Sequence, residues 1–331
     1  MLKRKVCFWV ILVTGLVVLA LYLFLPPRYP HLRPADIQPL PTGPNDGRLV
    51  PLTLKPNVIY GMGLTYSTHI KETASPFDPN IPPVIFRKEV ISLCSSDQKV
   101  KLPGRKDLIA KVESLEPGLG KKLEKKCPSL PLLLDYEAEL AFVLLNDVDW
   151  KRMNDPTYAP ALGYFIADDV SVRTLAVLGE GKPNKSDYWG ASKSFPGFLP
   201  VGKQMWVPNH SHANSLLVTT LTTTVNGQVR QSQSTDDLIY TPRQMLAFIA
   251  RKYPDQLPRK GDVVLTGTPG GVALRIPYWK VRMGRLLQLG SLTKLSLLIR
   301  SNRTNKNFIK PGDTVVVSGG ILGTIQTLFI E

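Results

Sequence analysis

Cysteine is scarce in this sequence, and several classes of protein are excluded by the way the few cysteines are placed. The 331 residues contain three cysteines and no Cys-x-x-Cys pair, which excludes a zinc ribbon and a thioredoxin-type redox motif. Cys94 and Cys127 flank a basic segment, for which two interpretations stay open. They are two unrelated buried thiols, or a disulfide that closes the segment and requires an oxidising compartment.

A glycine-rich phosphate loop is also missing, and strand and helix patterns do not alternate regularly along the chain. These two absences exclude a P-loop or Rossmann nucleotide-binding fold. Short apolar segments separated by Gly, Pro, Asn and Asp instead predict a β-rich fold. Asn226-Gly227 lies between two strand-like runs and predicts a hairpin turn. Thr241, Pro242 and Gln244 have the spacing of a capping box and predict the start of a helix.

Acidic residues are absent from one long segment, and this absence concentrates the positive charge. Residues 274–310 carry +9 with no Asp or Glu, residues 1–34 carry +5, and residues 95–126 carry +4. Since the whole chain has a net charge of +15, the remainder carries 15 − 18 = −3. The basicity therefore lies in a leader and two insert-like segments. No helix-turn-helix or zinc-finger spacing accompanies it, so we expect no nucleic-acid partner.

Charge is absent from the N-terminal apolar run. Residues 1–5 form a basic flank, and residues 6–25 contain no charged side chain, which as a helix would span a bilayer core of roughly 30 Å. We expect an uncleaved single-pass transmembrane anchor at 6–25, because a signal peptide has a shorter apolar region of about 7–15 residues. The Lys/Arg excess before the span favours a cytoplasmic N-terminus, so we expect the folded domain to be extracytoplasmic or periplasmic.

The rest of the chain divides into two parts by composition. Residues 26–54 are rich in proline and predict an extended stalk. We expect residues 55–331 to form the folded domain, with insertions at about 95–126 and 274–310. The second insertion combines basic, aromatic and leucine residues, so it could lie on anionic lipid. A solvated insertion or an oligomer contact stays open beside that interpretation.

Carboxylates stand beside apolar runs at two places. Glu137 and Glu139 precede the apolar residues 140–145, and they share one face of a strand because side chains alternate. A solvated strand face is the alternative interpretation. Asp169 ends a second apolar run about 30 residues later. Three carboxylates without a nearby Cys/His pair would select a hard cation such as Mg²⁺ or Mn²⁺.

A histidine and a glutamate have the spacing of neighbours on a helix. On a short helix, His69 and Glu72 lie at i and i+3, where the carboxylate would fix the imidazole tautomer and raise its basicity. Such a pair can deprotonate a water or abstract a proton next to a carbonyl. A surface ion pair is the alternative. His210 and His212 could form half of a zinc site, but exposed loop histidines are the favoured interpretation.

Five motifs follow one another along the chain. They are Asp135-Tyr136-Glu137-Ala138-Glu139, Gly163-Tyr164 with Asp169-Val170-Ser171-Val172-Arg173, Lys193-Ser194-Phe195, Leu265-Thr266-Gly267-Thr268-Pro269 and Pro311-Gly312-Asp313. In this order they resemble the motifs of the fumarylacetoacetate hydrolase family, and the resemblance covers about residues 55–320. It implies an α+β, β-rich fold, the family's mixed β-sandwich roll with few helices, here preceded by one N-terminal transmembrane helix.

The resemblance also implies roles for individual residues. A mobile lid would carry the acid–base pair, a lysine would stabilise a developing enolate, and a turn would bind the substrate carboxylate. The implied residues are Glu137, Glu139 and Asp169 for Mg²⁺ (or Mn²⁺), His69, Glu72 and Lys193 for catalysis, and Arg173, Gly267 and Thr268 for substrate binding. Arg173 could pair with a metal-ligand carboxylate instead of with substrate.

From this resemblance we expect a divalent-metal-dependent hydrolase that cleaves a C–C bond in an acylpyruvate-type (β-diketo) 2-oxo acid. An oxaloacetate-type decarboxylase, an isomerase or a hydratase stays open, as does a catalytically idle membrane-bound binding or scaffold protein. The family's acid and amide after the arginine are replaced by Thr174 and Ala176, which puts the substrate in doubt. The expected partners are a small 2-oxo acid, membrane lipid and a second copy of the chain in a homodimer.

Overall fold

The secondary structure mixes many short strands with nine described helices. A computed structural model describes residues 2–25 and 27–331, and for residues 2–8, 10 and 11 it describes the backbone alone. The helices are α1 (Leu2–Phe24), α2 (Ser67–Thr73), α3 (Arg105–Leu115), α4 (Leu119–Lys126), α5 (Arg173–Leu178), α6 (Lys185–Ser192), α7 (Pro242–Lys252), α8 (Tyr278–Leu286) and α9 (Ser291–Ser301). The strands are β1 (Gln38–Pro39), β2 (Gly47–Pro51), β3 (Ile59–Gly63), β4 (Val84–Lys88), β5 (Leu93–Ser95), β6 (Lys99–Lys101), β7 (Leu134–Asp135), β8 (Ala138–Leu144), β9 (Leu162–Asp168), β10 (Ser171–Val172), β11 (Leu199–Val201), β12 (Gln204–Pro208), β13 (Ser215–Leu216), β14 (Thr220–Val225), β15 (Gln228–Ser234), β16 (Val263–Leu265), β17 (Thr314–Ser318) and β18 (Thr324–Ile330).

Two sheets form the folded body. The larger sheet has the order β2-β12-β9-β8-β16-β3-β4, and β11 joins β5 to β9 at its side. The smaller sheet has the order β15-β14-β17-β18-β6, and its strands β14, β17 and β18 pack against β8 and β9. This architecture agrees with the expected β-rich α+β fold.

The central strand β8 is buried on both faces. Leu140, Phe142 and Leu144 belong to the larger hydrophobic core, whereas Ala141 and Val143 belong to a second, smaller core on the opposite face. A strand that is buried on both faces needs an apolar sequence throughout its length. Glu137 and Glu139, the carboxylates that precede the apolar residues, therefore lie where β8 begins.

Two local predictions are confirmed. Asn226 and Gly227 both adopt positive φ angles, of 50° and 79°, as the hairpin between β14 and β15 requires of a type I′ turn. At the start of α7, Gln244 N donates to Thr241 Oγ1 over 3.3 Å, and Thr241 N donates to Gln244 Oε1 over 2.8 Å. This reciprocal pair is the predicted capping box.

The predicted transmembrane anchor is corrected by the structure. Part of the 6–25 run, namely residues 6–8, 10 and 11, lies outside the residues whose side chains are described. Across the described residues, no helix has the length and apolarity that a membrane span needs. The single-pass anchor is therefore wrong on this finding, and so is the extracytoplasmic or periplasmic location derived from it.

The segment that was expected to be a stalk contributes strands to the folded body. β1 pairs in parallel with β13, and β2 pairs antiparallel with β12 over five residues. Leu32 and Leu40 are buried in the larger core. At least residues 32–51 are therefore packed against the domain.

Helices make up most of the two insert-like segments. Residues 95–126 contain α3 and α4, and residues 274–310 contain α8 and α9, of which α9 packs against α4 and α5. Cys94 and Cys127 are both free thiols. Cys94 Sγ lies 3.2 Å from Gly197 O, so the disulfide interpretation is not supported and the two thiols are unrelated.

Candidate functional site

The three predicted metal-ligating carboxylates meet where β8 begins and β9 ends. Antiparallel pairing places Ala138 opposite Asp168, and Asp169 N donates to Glu137 O over 2.9 Å. One carboxylate oxygen from each of Glu137, Glu139 and Asp169 lies within 4.8 Å of the other two, and all three residues are buried. A cluster made only of carboxylate oxygens suits Mg²⁺ or Mn²⁺ rather than a soft metal.

Two buried lysines contact this cluster. Lys193, which follows α6, places Nζ 2.9 Å from Glu137 Oε2 and 2.7 Å from Asp169 Oδ2. Lys88, the last residue of β4, forms an ion pair with Asp169 and donates to Phe198 O over 3.0 Å. Lys193 was predicted, whereas Lys88 was not. The available signal was a lysine at the end of a strand whose other residues, apart from the exposed Arg87, are apolar.

Arg173 is held by two protein carboxylates. Its Nε lies 2.7 Å from Asp135 Oδ2, and its Nη2 lies 2.9 Å from Glu137 Oε1. Asp135 also accepts hydrogen bonds from Ala273 N and Leu274 N, at 2.7 and 3.1 Å. The described contacts of Arg173 are thus with protein carboxylates, one of them the candidate metal ligand Glu137, and its substrate role stays a prediction.

Buried negative charge exceeds buried positive charge at this site, which is the balance that a divalent cation would neutralise. Five carboxylates face three cations, so the formal charge is 3 − 5 = −2 when all are ionised. Uncompensated charge is costly in a buried environment. A divalent cation therefore fits both the charge and the oxygen donors. The carboxylates are Asp135, Glu137, Glu139, Asp168 and Asp169, and the cations are Lys88, Arg173 and Lys193.

The pKa values of the carboxylates reflect this unequal distribution of charge. Burial alone would raise the pKa of Glu137, but the neighbouring Arg173 and Lys193 lower it to about 2. Burial raises the pKa of Glu139 well above its ordinary value, and Asp169 adds to this effect. Burial also raises the pKa of Asp168 to about 7. Glu137 is therefore anionic at neutral pH.

The predicted acid–base pair lies on α2, next to these carboxylates. His69 Nδ1 is 3.7 Å from Glu72 Oε2, and only 7% of His69 is exposed. Burial tends to raise the pKa of Glu72, but His69 and the N–H of Gly271, 2.8 Å away, lower it overall. Glu72 is therefore anionic at neutral pH and can orient the imidazole. One turn contacts both groups, because Gly267 N donates to Glu139 over 2.7 Å and Gly271 N donates to Glu72 over 2.8 Å, and this brings α2 beside the carboxylate cluster.

The predicted substrate-binding turn makes contacts with the protein itself. Gly267 N donates to Glu139 Oε2 over 2.7 Å. Thr268 Oγ1 donates to Ala138 O over 3.0 Å and accepts from Gln231 Nε2 over 2.8 Å. Gln231, a buried residue of β15, was not predicted. Through these contacts the turn fixes Glu139, a candidate metal ligand, while the substrate role of Gly267 and Thr268 stays a prediction.

Replacing Gly267 by alanine is expected to lower the free energy of unfolding by about 2–4 kcal/mol. Its φ is +92°, and an added Cβ would lie 2.1 Å from Thr65 Oγ1. Urea unfolding measures the loss. Gly227→Ala is the matched control, because its φ is +79° but its added Cβ meets no described atom within 4 Å, so about 1–2 kcal/mol is expected there. Equal losses in the two variants would contradict the close contact at Gly267.

Comparisons with known proteins agree with this site and fold. The family model described as fumarylacetoacetate (FAA) hydrolase C-terminal matches residues 58–329. A human mitochondrial protein named oxaloacetate tautomerase is 28% identical over 229 residues, covering 68% of this chain and 60% of that protein.

Two solved structures are similar in fold. Fumarylpyruvate hydrolase from Pseudomonas aeruginosa, in complex with Mn²⁺ and pyruvate, has a TM-score of 0.53 and 17% identity, covering 87% of this chain and 98% of that one. Fumarylacetoacetate hydrolase from Exiguobacterium antarcticum has a TM-score of 0.52 and 22% identity, covering 86% and 78%. At these identities the likeness concerns the fold alone.

Proposed function

Because the chain belongs to the fumarylacetoacetate hydrolase family, we propose that it is a divalent-metal-dependent hydrolase that cleaves a C–C bond in an acylpyruvate-type 2-oxo acid. The observation that carries the proposal is the buried cluster of Glu137, Glu139 and Asp169, with ligand atoms within 4.8 Å of one another, next to the His69–Glu72 pair. A cluster of this kind can hold a cation, and the pair can move a proton.

The metal would supply one part of the chemistry. Held by Glu137, Glu139 and Asp169, a Mg²⁺ or Mn²⁺ ion would polarise the oxygens of a 2-oxo acid as a Lewis acid. The Pseudomonas relative was crystallised with Mn²⁺ and pyruvate, which is consistent with such a role. Metal titration with each ion in turn decides between Mg²⁺ and Mn²⁺.

The His69–Glu72 pair would supply the proton transfer. Glu72, fixed by Gly271 N, orients His69, which takes one proton from a water molecule. The water oxygen forms a bond to the acyl carbonyl carbon as that proton leaves. The bond between this carbon and the adjacent CH₂ carbon then breaks, and its electron pair passes to the pyruvate fragment as an enolate. Protonation of the enolate gives pyruvate, and the acyl fragment leaves as a carboxylic acid.

Lys193 would stabilise the charge that develops on the enolate. Only 3% of this residue is exposed, and a cation in such a water-poor site acts more strongly on a developing anion than it would in water. Lys88 would act indirectly, since its ion pair with Asp169 leaves Lys193 less fully neutralised by that carboxylate.

Product analysis tests the proposed reaction directly. The full chain, incubated with Mg²⁺ and an acylpyruvate panel, is expected to release pyruvate and the matching carboxylic acid in equal amounts, measured by proton NMR. Equal amounts of the two products require hydrolysis at the C–C bond. Consumption of substrate that yields carbon dioxide, or an isomer with every carbon retained, would contradict hydrolysis and favour another reaction of the family.

Tautomerisation of oxaloacetate is the second candidate function. The human relative bears that name, and the same His69–Glu72 pair could carry a proton between the C3 carbon and the enol oxygen without adding water. In deuterated water this reaction would exchange the C3 protons of oxaloacetate rapidly while the four-carbon skeleton stays intact. Proton NMR on one enzyme preparation, with an acylpyruvate and with oxaloacetate as substrates, therefore separates the two candidate reactions.

A further inference from the structure

Asp237 holds the N-terminal end of the helix that carries His69 and Glu72. Its Oδ2 accepts from Thr68 N over 2.9 Å and from Thr68 Oγ1 over 2.7 Å. Its Oδ1 accepts from Ser67 Oγ. Three hydrogen bonds thus join one carboxylate to the first turn of α2, although Asp237 is 169 residues away from Thr68 in the chain.

The helix needs this contact because it is short and lacks a local cap. α2 has seven residues, and its N-cap residue Tyr66 makes no side-chain capping bond within the described part of the chain. The first backbone N–H groups of a helix have no partner inside the helix. A carboxylate satisfies them well, and its negative charge also interacts favourably with the helix dipole. Asp237 therefore does what an N-cap side chain normally does.

Asp237 is attached to the smaller sheet. It ends a short turn after β15, in which Thr235 Oγ1 donates to Leu217 O over 2.9 Å and accepts from Thr219 N over 3.0 Å. The next residues then run beside the start of α2, where Ile239 N donates to Thr65 O over 2.9 Å. The carboxylate is consequently fixed relative to the sheets and not only to the helix.

The turn that follows β16 contacts α2 at two places. Gly271 N donates to Glu72, near the C-terminal end of the helix, over 2.8 Å, and Gly270 N lies 3.4 Å from Thr68 Oγ1 in the first turn. His69 lies between Thr68 and Glu72 in the helix. Loss of Asp237 would remove three hydrogen bonds from the first turn and leave the longer contact of Gly270 N, so His69 would spend less time beside the carboxylate cluster.

We propose that Asp237 is a positioning residue, which holds α2 in the orientation that brings the His69–Glu72 pair to the carboxylate cluster. The kinetic consequence rests on the proposed function, whereas the structural consequence does not. The groups that Asp237 contacts on α2 are those of Ser67 and Thr68. Its effect on the reaction therefore passes through α2.

The test compares Asp237→Ala with Asp236→Ala in the full chain. Asp236 is the adjacent acid and is exposed, so the control removes the same charge from the same turn without touching α2. Hydrogen–deuterium exchange of the peptide covering 67–73 is expected to be at least about 10-fold faster in Asp237→Ala, because local opening of the helix becomes more frequent. Asp236→Ala should exchange at the wild-type rate.

Kinetics separate positioning from a general loss of structure. Asp237→Ala is expected to lower kcat by about 10–100-fold, with KM changed by less than about 3-fold, because less of the bound enzyme has His69 in place. The midpoint of Mg²⁺ binding should not move. Asp237→Asn, which keeps one acceptor for Thr68 N and is a good capping residue, should fall between Asp237→Ala and wild type in both readouts.

Unchanged exchange over 67–73 in Asp237→Ala would overturn the proposal, as would the same exchange increase in Asp236→Ala. Faster exchange confined to 67–73 with an unchanged kcat would also overturn it, because α2 would then be loosened without consequence for the reaction. If the wild-type chain turns over none of the substrates, the proposed function fails. In that case the exchange experiment still shows whether Asp237 holds α2.

Discussion

His69→Ala is expected to lower kcat/KM for an acylpyruvate by about 10²–10⁴-fold, the usual contribution of a general acid–base group. The imidazole is buried and its partner Glu72 is held by Gly271 N. The substrate-binding and metal-binding groups stay intact, and the loss should therefore appear mainly in kcat. Steady-state kinetics at saturating Mg²⁺ measures it.

His210→Ala is the matched control for this variant. His210 is exposed and lies in the loop after β12, so its replacement should leave kcat/KM within about 2-fold, as expected for surface substitutions. Thermal unfolding checks that His69→Ala is folded. If His69→Ala retained more than a tenth of the wild-type kcat while folded, the role assigned to the His69–Glu72 pair would be wrong.

Glu139→Gln is expected to abolish stabilisation by Mg²⁺ and to reduce turnover at least about 100-fold, since even the partners of metal ligands contribute about 10–100-fold. The amide keeps the size of the side chain and an oxygen for the N–H of Gly267, which lies 2.7 Å from the native carboxylate. It removes one of three anionic ligands. The wild-type melting temperature should rise with Mg²⁺ concentration because the ion binds the folded state, and that of Glu139→Gln should not.

The same substitution should raise stability when metal is removed. In the absence of a cation, five buried carboxylates repel one another around three cations, and neutralising Glu139 relieves part of that repulsion. With EDTA present, Glu139→Gln is therefore expected to melt at a higher temperature than wild type. Glu124→Gln, at an exposed position, is the control and should behave like wild type with and without Mg²⁺. A Mg²⁺-dependent rise of wild-type size in Glu139→Gln would count against the assigned ligands.

Local patterns predicted the parts of the fold that depend on nearby residues. The Asn226-Gly227 turn and the capping box of α7 depend on residues at most three positions apart, and both are found. Strand alternation placed Glu137 and Glu139 together, and the antiparallel pairing of β8 with β9 then adds Asp169. Motif resemblance supplied this last step, because no periodicity in the sequence says which strand pairs with which.

Residues whose roles depend on long-range contacts could not be predicted in the same way. Lys88 reaches Asp169 across 81 positions, and Asp237 reaches Thr68 across 169. Each is an ordinary lysine or aspartate in its local context. The proline-rich residues 26–54 were expected to form an extended stalk, because proline disfavours regular structure. Instead, β2 pairs with β12 as an edge strand of the larger sheet, and an edge strand tolerates the proline at its end.

The N-terminal prediction failed for a different reason. Hydropathy alone predicts a membrane span from a run of 20 apolar residues, but across the described residues no helix combines the length and the apolarity that a span needs. The end of α1 also meets α8, where Phe24 and Trp279 have ring centroids 6.1 Å apart. Contacts with a distant insertion of this kind cannot be read from composition.

Metal-dependent turnover is the most direct test of the proposed function. The full chain is treated with EDTA, and the loss of enol absorbance is followed on an acylpyruvate panel before and after Mg²⁺ or Mn²⁺ is added back. We predict no turnover with EDTA and recovery to the untreated rate with either ion, saturating at one ion per chain. Turnover that is unaffected by EDTA, or metal binding at full occupancy without turnover of any acylpyruvate or of oxaloacetate, would contradict this prediction.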